Sequence, residues 1–173
     1  CGDVPFISTK SLTLMVKKLD NSDLCLGTFN QPKPEGYGRV IRSGSRITKI
    51  TEEKDASEKI RKITEINTGI ICVKEQVLRK YITKIKNNNK QKEFYLTDVI
   101  SLLSDNNHKI SSYSIKDELE TMGINSKKDL VDLERKLLVK KATDLLNKGV
   151  LIRDVQRTDI KGDLRVQKDV DID

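Results

Sequence analysis

Apolar residues change their spacing repeatedly along this chain, and that change limits its fold more than any other feature. Residues 24–29, 66–73 and 109–115 are short runs of strand character. Around them Leu12, Met15, Val16 and Leu19 recur at helical intervals, as do Val77, Leu78, Tyr81, Ile82 and Ile85. Ser8 or Thr9 offers a side-chain oxygen to cap the first helix, and Thr97 does so ahead of Val99, Ile100, Leu102 and Leu103. Residues 3–7 read as a strand end running into a loop. Residues 39–42 and 46–51 predict a hairpin about Ser43-Gly44-Ser45, and 56–63 a short helix. Gln31-Pro32-Lys33-Pro34-Glu35-Gly36-Tyr37-Gly38 is neither helix nor central strand and predicts a shaped loop. Asn87-Asn88-Asn89 interrupts a helix. A long helix is expected from Ser126 to Lys148, burying Leu130, Leu133, Leu137, Leu138, Leu145 and Leu146, with Gly149 ending it. Alternating helices and strands predict an α/β layered domain over residues 1–125. After Gly149 the texture changes: Leu164 and Val170, then Val166 and Ile172, stand six apart. That interval suits a coil of parallel β-helix, and an ordinary strand pair equally.

The chain's 173 residues suit one domain, or one and a fraction. No apolar run approaches the roughly 18 residues of a membrane span. The opening lacks the basic start and apolar stretch of a signal peptide, and begins Cys1-Gly2-Asp3 without Met. The expectation is an internal segment of a longer protein. Cys1, Cys25 and Cys72 have neither metal-binding spacing nor a neighbouring His, so a disulfide framework or zinc site is not expected, and a reducing, cytoplasmic compartment is. The net charge of +7 raises the possibility of a basic nucleic-acid-binding protein. Against it, basic residues are mixed with acids, and the runs at 84–92 and 127–141 carry no interleaved aromatics. No nucleic-acid partner is expected.

Several positions could carry chemistry. Asp3, beside Gly2, could hold Mg²⁺ near phosphates, or simply cap a turn. Gly36-Tyr37-Gly38-Arg39 would let backbone approach a ligand, or merely turn the chain. Glu52 and Glu53 stand together at a strand end. Asn67-Thr68-Gly69 breaks an apolar strand, and a polar Asn67 there needs partners from the fold or from a ligand. Asn125 precedes the long helix and could be a cap.

The order of these segments resembles one family. GDVPFIS at 2–8, PEGYGRVIR at 34–42, ITEEKDA at 50–56, EINTGI at 65–70, NNNKQKEFYLTD at 87–98 and MGINSKKDLVDLER at 122–135 are similar to the bacterial bifunctional N-acetylglucosamine-1-phosphate uridylyltransferases/glucosamine-1-phosphate acetyltransferases. LLNKGVLIRD at 145–154 and GDLRVQKDVDID at 162–173 extend the likeness over essentially the whole chain. GD-x-P is shared by many nucleotidyltransferases. EINTGI followed by the NNN segment is far more specific.

The resemblance implies the C-terminal half of a Rossmann-like nucleotidyltransferase domain over residues 1–127, a linker helix at 128–148, and the start of a left-handed parallel β-helix acetyltransferase domain at 149–173. It implies Mg²⁺ ligands at Asp3 and Asn125. It implies UDP-N-acetylglucosamine contacts at Cys1, Gly2, Asp3, Gly38, Glu52, Asn67 and Asn125. Cys1 stands where the family usually has an aromatic residue, and Lys92 where it commonly has Gly. UTP and N-acetylglucosamine 1-phosphate are the implied substrates, acetyl-CoA the co-substrate of the second domain, and a homotrimer the implied assembly. The implied role is cytoplasmic synthesis of peptidoglycan and lipopolysaccharide precursors. The family's glycine-rich, Lys-containing phosphate loop has no counterpart here, so no catalytic residue is assigned and the chain alone is expected to be inactive. A monofunctional relative using another sugar phosphate or nucleotide is the alternative within the enzyme class.

Overall fold

A computed structural model describes residues 2–173. They divide into two compact units, one of residues 6–121 and the other of Gly2–Pro5 with Met122–Asp173.

The first unit is built on a five-stranded mixed sheet. Its strands are β1 (Leu24–Asn30), β2 (Arg39–Ser43), β3 (Arg46–Thr51), β4 (Glu65–Val73) and β5 (Ile110–Ser114), in the order β3-β2-β4-β1-β5. Only β1 and β5 run parallel; β1–β4, β4–β2 and β2–β3 are antiparallel. This confirms the expected α/β layering and the 39–51 hairpin. Its turn passes through Gly44 at φ +58°, a left-handed value glycine adopts without Cβ penalty.

Leu24 and Leu26 of β1 and Val40 of β2 enter one core, and Ile47 and Ile50 of the edge strand β3 join them because its register against β2 shifts by one residue between them. There they meet Tyr81 of α3 (Glu75–Ile82) and Val99, Ile100 and Leu103 of α4 (Asp98–Asp105). Helix α1 (Thr9–Lys18) buries Met15 and is capped by Ser8, whose hydroxyl accepts from Ser11 N at 3.1 Å. Val16 of its expected stripe is exposed. The short helix α2 is confined to Glu58–Arg61, less than the 56–63 expected. Residues 2–7 form turns and loop rather than a strand end.

Register in the sheet centre is interrupted once. Leu26 pairs with Ile71, but Thr28 pairs with Asn67, so β4 carries extra residues against β1. The bulge contains Gly69 at φ +78°. Thr68 bridges it, its hydroxyl donating to Gly27 O at 2.9 Å. The Asn67-Thr68-Gly69 interruption seen in the sequence is thus a β-bulge, a device that re-aims side chains.

In the second unit α5 (Lys127–Leu146) is capped by Ser126, which accepts from Asp129 N at 3.1 Å. It ends as expected at Gly149, φ +86°, with Val150 N returning to Leu145 O. Leu133 and Leu145 are buried, but Leu130, expected inside, is 50% exposed. Beyond the helix, β6 (Leu151–Ile152) pairs in parallel with β7 (Asp171–Ile172). Val166 and Ile172 pack on a core of Ala142, Leu145, Val150, Ile152 and Ile160. The other six-spaced pair, Leu164 and Val170, is exposed.

Candidate functional site

The β2 entry, the end of β3 and the β4 bulge bring three of the expected sugar contacts together. Asn67 N donates to Gly38 O at 2.8 Å, fixing the glycine loop against β4. A Cβ on Gly38 would stand 3.0 Å from Glu52 Oε2 and 2.9 Å from the Ile50 side chain. A side chain at Gly38 would have to displace the Ile50 methyl and the carboxylate, so glycine keeps that main chain close to both. Asn67 turns its Oδ1 onto Gly69 N at 3.0 Å, which leaves its amide N–H groups to donate elsewhere. The sequence left open whether the fold or a ligand satisfies Asn67. The fold takes the oxygen and leaves the donor.

Glu52 and Glu53, alike in sequence, part company here. Glu53 Oε2 accepts from Arg39 Nη2 at 2.7 Å and from Gly36 N at 3.3 Å, while Oε1 meets Arg61 Nε at 3.2 Å. The Arg39 hydrogen bond chiefly holds its carboxyl below the usual range. Glu52 Oε1 instead accepts from the Thr97 hydroxyl at 2.8 Å. Thr97 was expected to cap α4, but its backbone is helical and its side chain makes no cap bond. That hydroxyl is a site residue the cap pattern concealed.

Residues 87–97 are laced to the short turn Glu53–Asp55. Lys90 N donates to Asp55 Oδ1 at 3.1 Å and Lys90 Nζ to Lys54 O at 2.8 Å. Lys54 Nζ reaches Gln91 Oε1, and Gln91 Nε2 donates to the Tyr95 hydroxyl at 2.7 Å. Lys92 is exposed and holds φ +56°, which accounts physically for glycine suiting that place. Burial, with Asp55 adding to it, pushes the Asp98 carboxyl up. Between these elements lies a cavity of about 310 Å³ lined by Gly36, Glu52, Glu53, Lys54, Gln91 and Tyr95.

Gly2, Asp3 and Asn125 belong to the second unit, and Cys1 lies outside the described residues. Ile124 N donates to Asp3 O at 2.8 Å. A Cβ on Gly123 would find Asp3 O at 3.7 Å and Asn125 Nδ2 at 4.0 Å, so both residues border that glycine. The Asn125 backbone N–H is taken by Asp129 Oδ2 at 3.1 Å. No group of three or more His, Cys, Asp or Glu side chains among the described residues could hold a metal. One carboxylate and one amide oxygen, both exposed, do fit Mg²⁺, which keeps several waters and completes its shell with phosphate oxygens.

The fold is that of a sugar nucleotidyltransferase. It matches the structure of a candidate UDP-N-acetylglucosamine pyrophosphorylase from Entamoeba histolytica with a TM-score of 0.56, at 17% identity, over 81% of this chain and 44% of that one. In sequence the chain is 38% identical over 172 residues to the bifunctional protein GlmU of Pseudoalteromonas atlantica strain T6c, covering 99% of this chain and 38% of that protein. It is 42% identical over 173 residues to the bifunctional protein GlmU of Francisella tularensis subsp. novicida strain U112, again over 99% of the chain and 38% of the relative. These relatives bear out the family resemblance drawn from the motifs. No family model matches the chain. No helix of the described residues is long and apolar enough to cross a membrane.

Proposed function

We propose that this chain supplies the sugar-binding side and the metal ligands of a Mg²⁺-dependent uridylyltransferase that makes UDP-N-acetylglucosamine from UTP and N-acetylglucosamine 1-phosphate. The observation that carries the reading is that the Gly38 main chain lies against the Glu52 carboxylate and is tied by its carbonyl to the backbone N–H of Asn67. Sugar hydroxyls both donate and accept, so a carboxylate acceptor beside an amide donor suits them. A glycine main chain lets a pyranose ring come close.

In the reaction a phosphate oxygen of the sugar phosphate attacks the α-phosphorus of UTP. The bond to the bridging oxygen breaks, and pyrophosphate leaves with its electron pair. Charge stays spread over phosphate oxygens, so the protein's share is positioning and neutralisation. Glu52, steadied by Thr97, and Asn67 orient the sugar. Asp3 and Asn125 would hold Mg²⁺, which supplies charge neutralisation between the phosphates.

The relatives' coverage supports placing this chain within a longer bifunctional protein. There β6 and β7 would open a left-handed β-helix that acetylates glucosamine 1-phosphate from acetyl-CoA. That protein would work in the cytoplasm, as a homotrimer, on cell-wall precursors. The 173 residues alone, without a glycine-rich phosphate loop, are not expected to turn over.

Glu52→Gln in the protein expressed from its whole gene tests the reading. The KM for N-acetylglucosamine 1-phosphate should rise by roughly tenfold while that for UTP holds. An unchanged sugar-phosphate KM would sink it.

A further inference from the structure

Arg39 is the largest side chain that the fold buries completely, at 1% exposed. Taking a guanidinium out of water is unfavourable unless its donors find partners. Nη1 donates to Tyr37 O, and Nη2 to Glu53 Oε2 at 2.7 Å and to Arg61 O at 3.3 Å, while Nε has no partner among the described residues.

Sheet pairing alone does not call for this side chain. The Arg39 backbone already pairs with Thr51 of β3 on one side and Ile66 of β4 on the other. The guanidinium instead reaches past the strand end. One partner, Tyr37, immediately precedes Gly38. A second, Glu53, immediately follows Glu52, and the third is the Arg61 carbonyl. Glu53 closes the circuit by accepting from Gly36 N at 3.3 Å. The loop is thus gripped by its N–H at Gly36 and its carbonyl at Tyr37, and the turn that presents Glu52 is gripped one residue on. Gly38 and Glu52 meet between the two grips.

The charges are arranged to the same end. Two carboxylates line the cavity. Arg39 and Arg61 neutralise the one on Glu53, whereas Glu52 has no ion-pair partner within 4.0 Å among the described residues. A sugar phosphate carries negative charge of its own, and a second bare carboxylate would repel it.

We infer that Arg39 and Glu53 are positioning residues for the sugar-phosphate subsite: through the 36–38 loop they set the separation of the Gly38 main chain from the Glu52 carboxylate, and they cancel the second carboxylate's charge. This rests on reading the cavity as that subsite. Neither residue is required to touch the ligand.

The test uses Glu53→Gln and Arg39→Lys in the protein expressed from its whole gene, with Glu52→Gln alongside. Thermal melting is measured first, then the KM for N-acetylglucosamine 1-phosphate and for UTP, kcat, and calorimetric binding of UDP-N-acetylglucosamine. Glu53→Gln keeps the side chain's shape but not its charge. Lys offers Arg39's partners a compact ammonium that cannot span all three. Both variants should raise the sugar-phosphate KM and weaken binding by roughly tenfold, with the UTP KM moving less than about twofold. A purely structural role would lower the melting temperature and kcat, or move both KM values together, and that pattern overturns the inference. Should Arg39→Lys fail to fold, Glu53→Gln, altering a partly exposed carboxylate, decides alone. If Glu52→Gln shifts the sugar-phosphate KM and the other two leave it within about twofold, the positioning inference falls and the proposed function stands. If the unaltered protein binds no sugar phosphate, both fall.

Discussion

At the scale of single residues, identity in sequence does not mean identity in role. Glu52 and Glu53 are adjacent acids, yet one is neutralised by two arginines and the other accepts a single hydroxyl. Thr97 stands where a helix cap is expected and spends its hydroxyl on Glu52 instead. Thr97→Val keeps the volume and removes the bond, so Glu52 should lose its fixed orientation. We expect the sugar-phosphate KM to rise about fivefold in Thr97→Val and to stay near normal in Thr97→Ser, which retains the hydroxyl. Equal KM values in the two variants would refute this. The cap pattern could not reveal the role, because cap and ligand-orienting uses draw on the same residue types at the same place before a helix.

At the scale of elements, periodicity located most helices and strands, since amphipathic spacing is written locally. Element edges and exceptions came from contacts. The β4 bulge is one: its Asn-Thr-Gly signal was visible, but its register against β1 was not. Gly27 faces that bulge so closely that an added Cβ would lie 2.8 Å from Thr68 Oγ1 and 3.1 Å from Ile70 O. Gly27→Ala should therefore destabilise the domain by about 1–3 kcal/mol through overpacking, read as a lower urea midpoint. An unchanged midpoint would show that the strands simply spread. Leu130 is the opposite case. It fits the helical stripe of α5, yet it is exposed, because a stripe states which side chains share a face and not where the neighbours stop.

At the scale of the whole molecule, long-range polar links set the response to acid. Asp23 receives His108 Nδ1 at 2.9 Å and Lys109 N at 3.3 Å, and pairs with Lys74; these, His108 foremost, hold its carboxyl below the usual range. Its folded pKa lies below its unfolded one. The stability it contributes is thus complete above about pH 4 and is lost as pH falls through the depressed value. Glu53 acts in the same direction through Arg39. The urea midpoint should fall between about pH 4 and pH 2, and Asp23→Asn should flatten that fall. An identical slope in Asp23→Asn would show that other carboxylates govern it.

The sequence alone determined the α/β alternation, the hairpin, a cap at Ser8 or Thr9, the helix stop at Gly149 and, through motif order, the family, whereas the cap of α5 falls on Ser126 and not on the Asn125 the sequence offered. All of these are short-range or cumulative signals, readable without knowing what packs on what. Only the tertiary structure separated Glu52 from Glu53, gave Thr97 its partner, buried Arg39 and set Asp3 beside the Gly123–Asn125 segment. Those outcomes depend on strand register, on a bulge and on chain segments far apart in sequence. Such contacts are fixed when distant surfaces close on one another, and local pattern does not carry them.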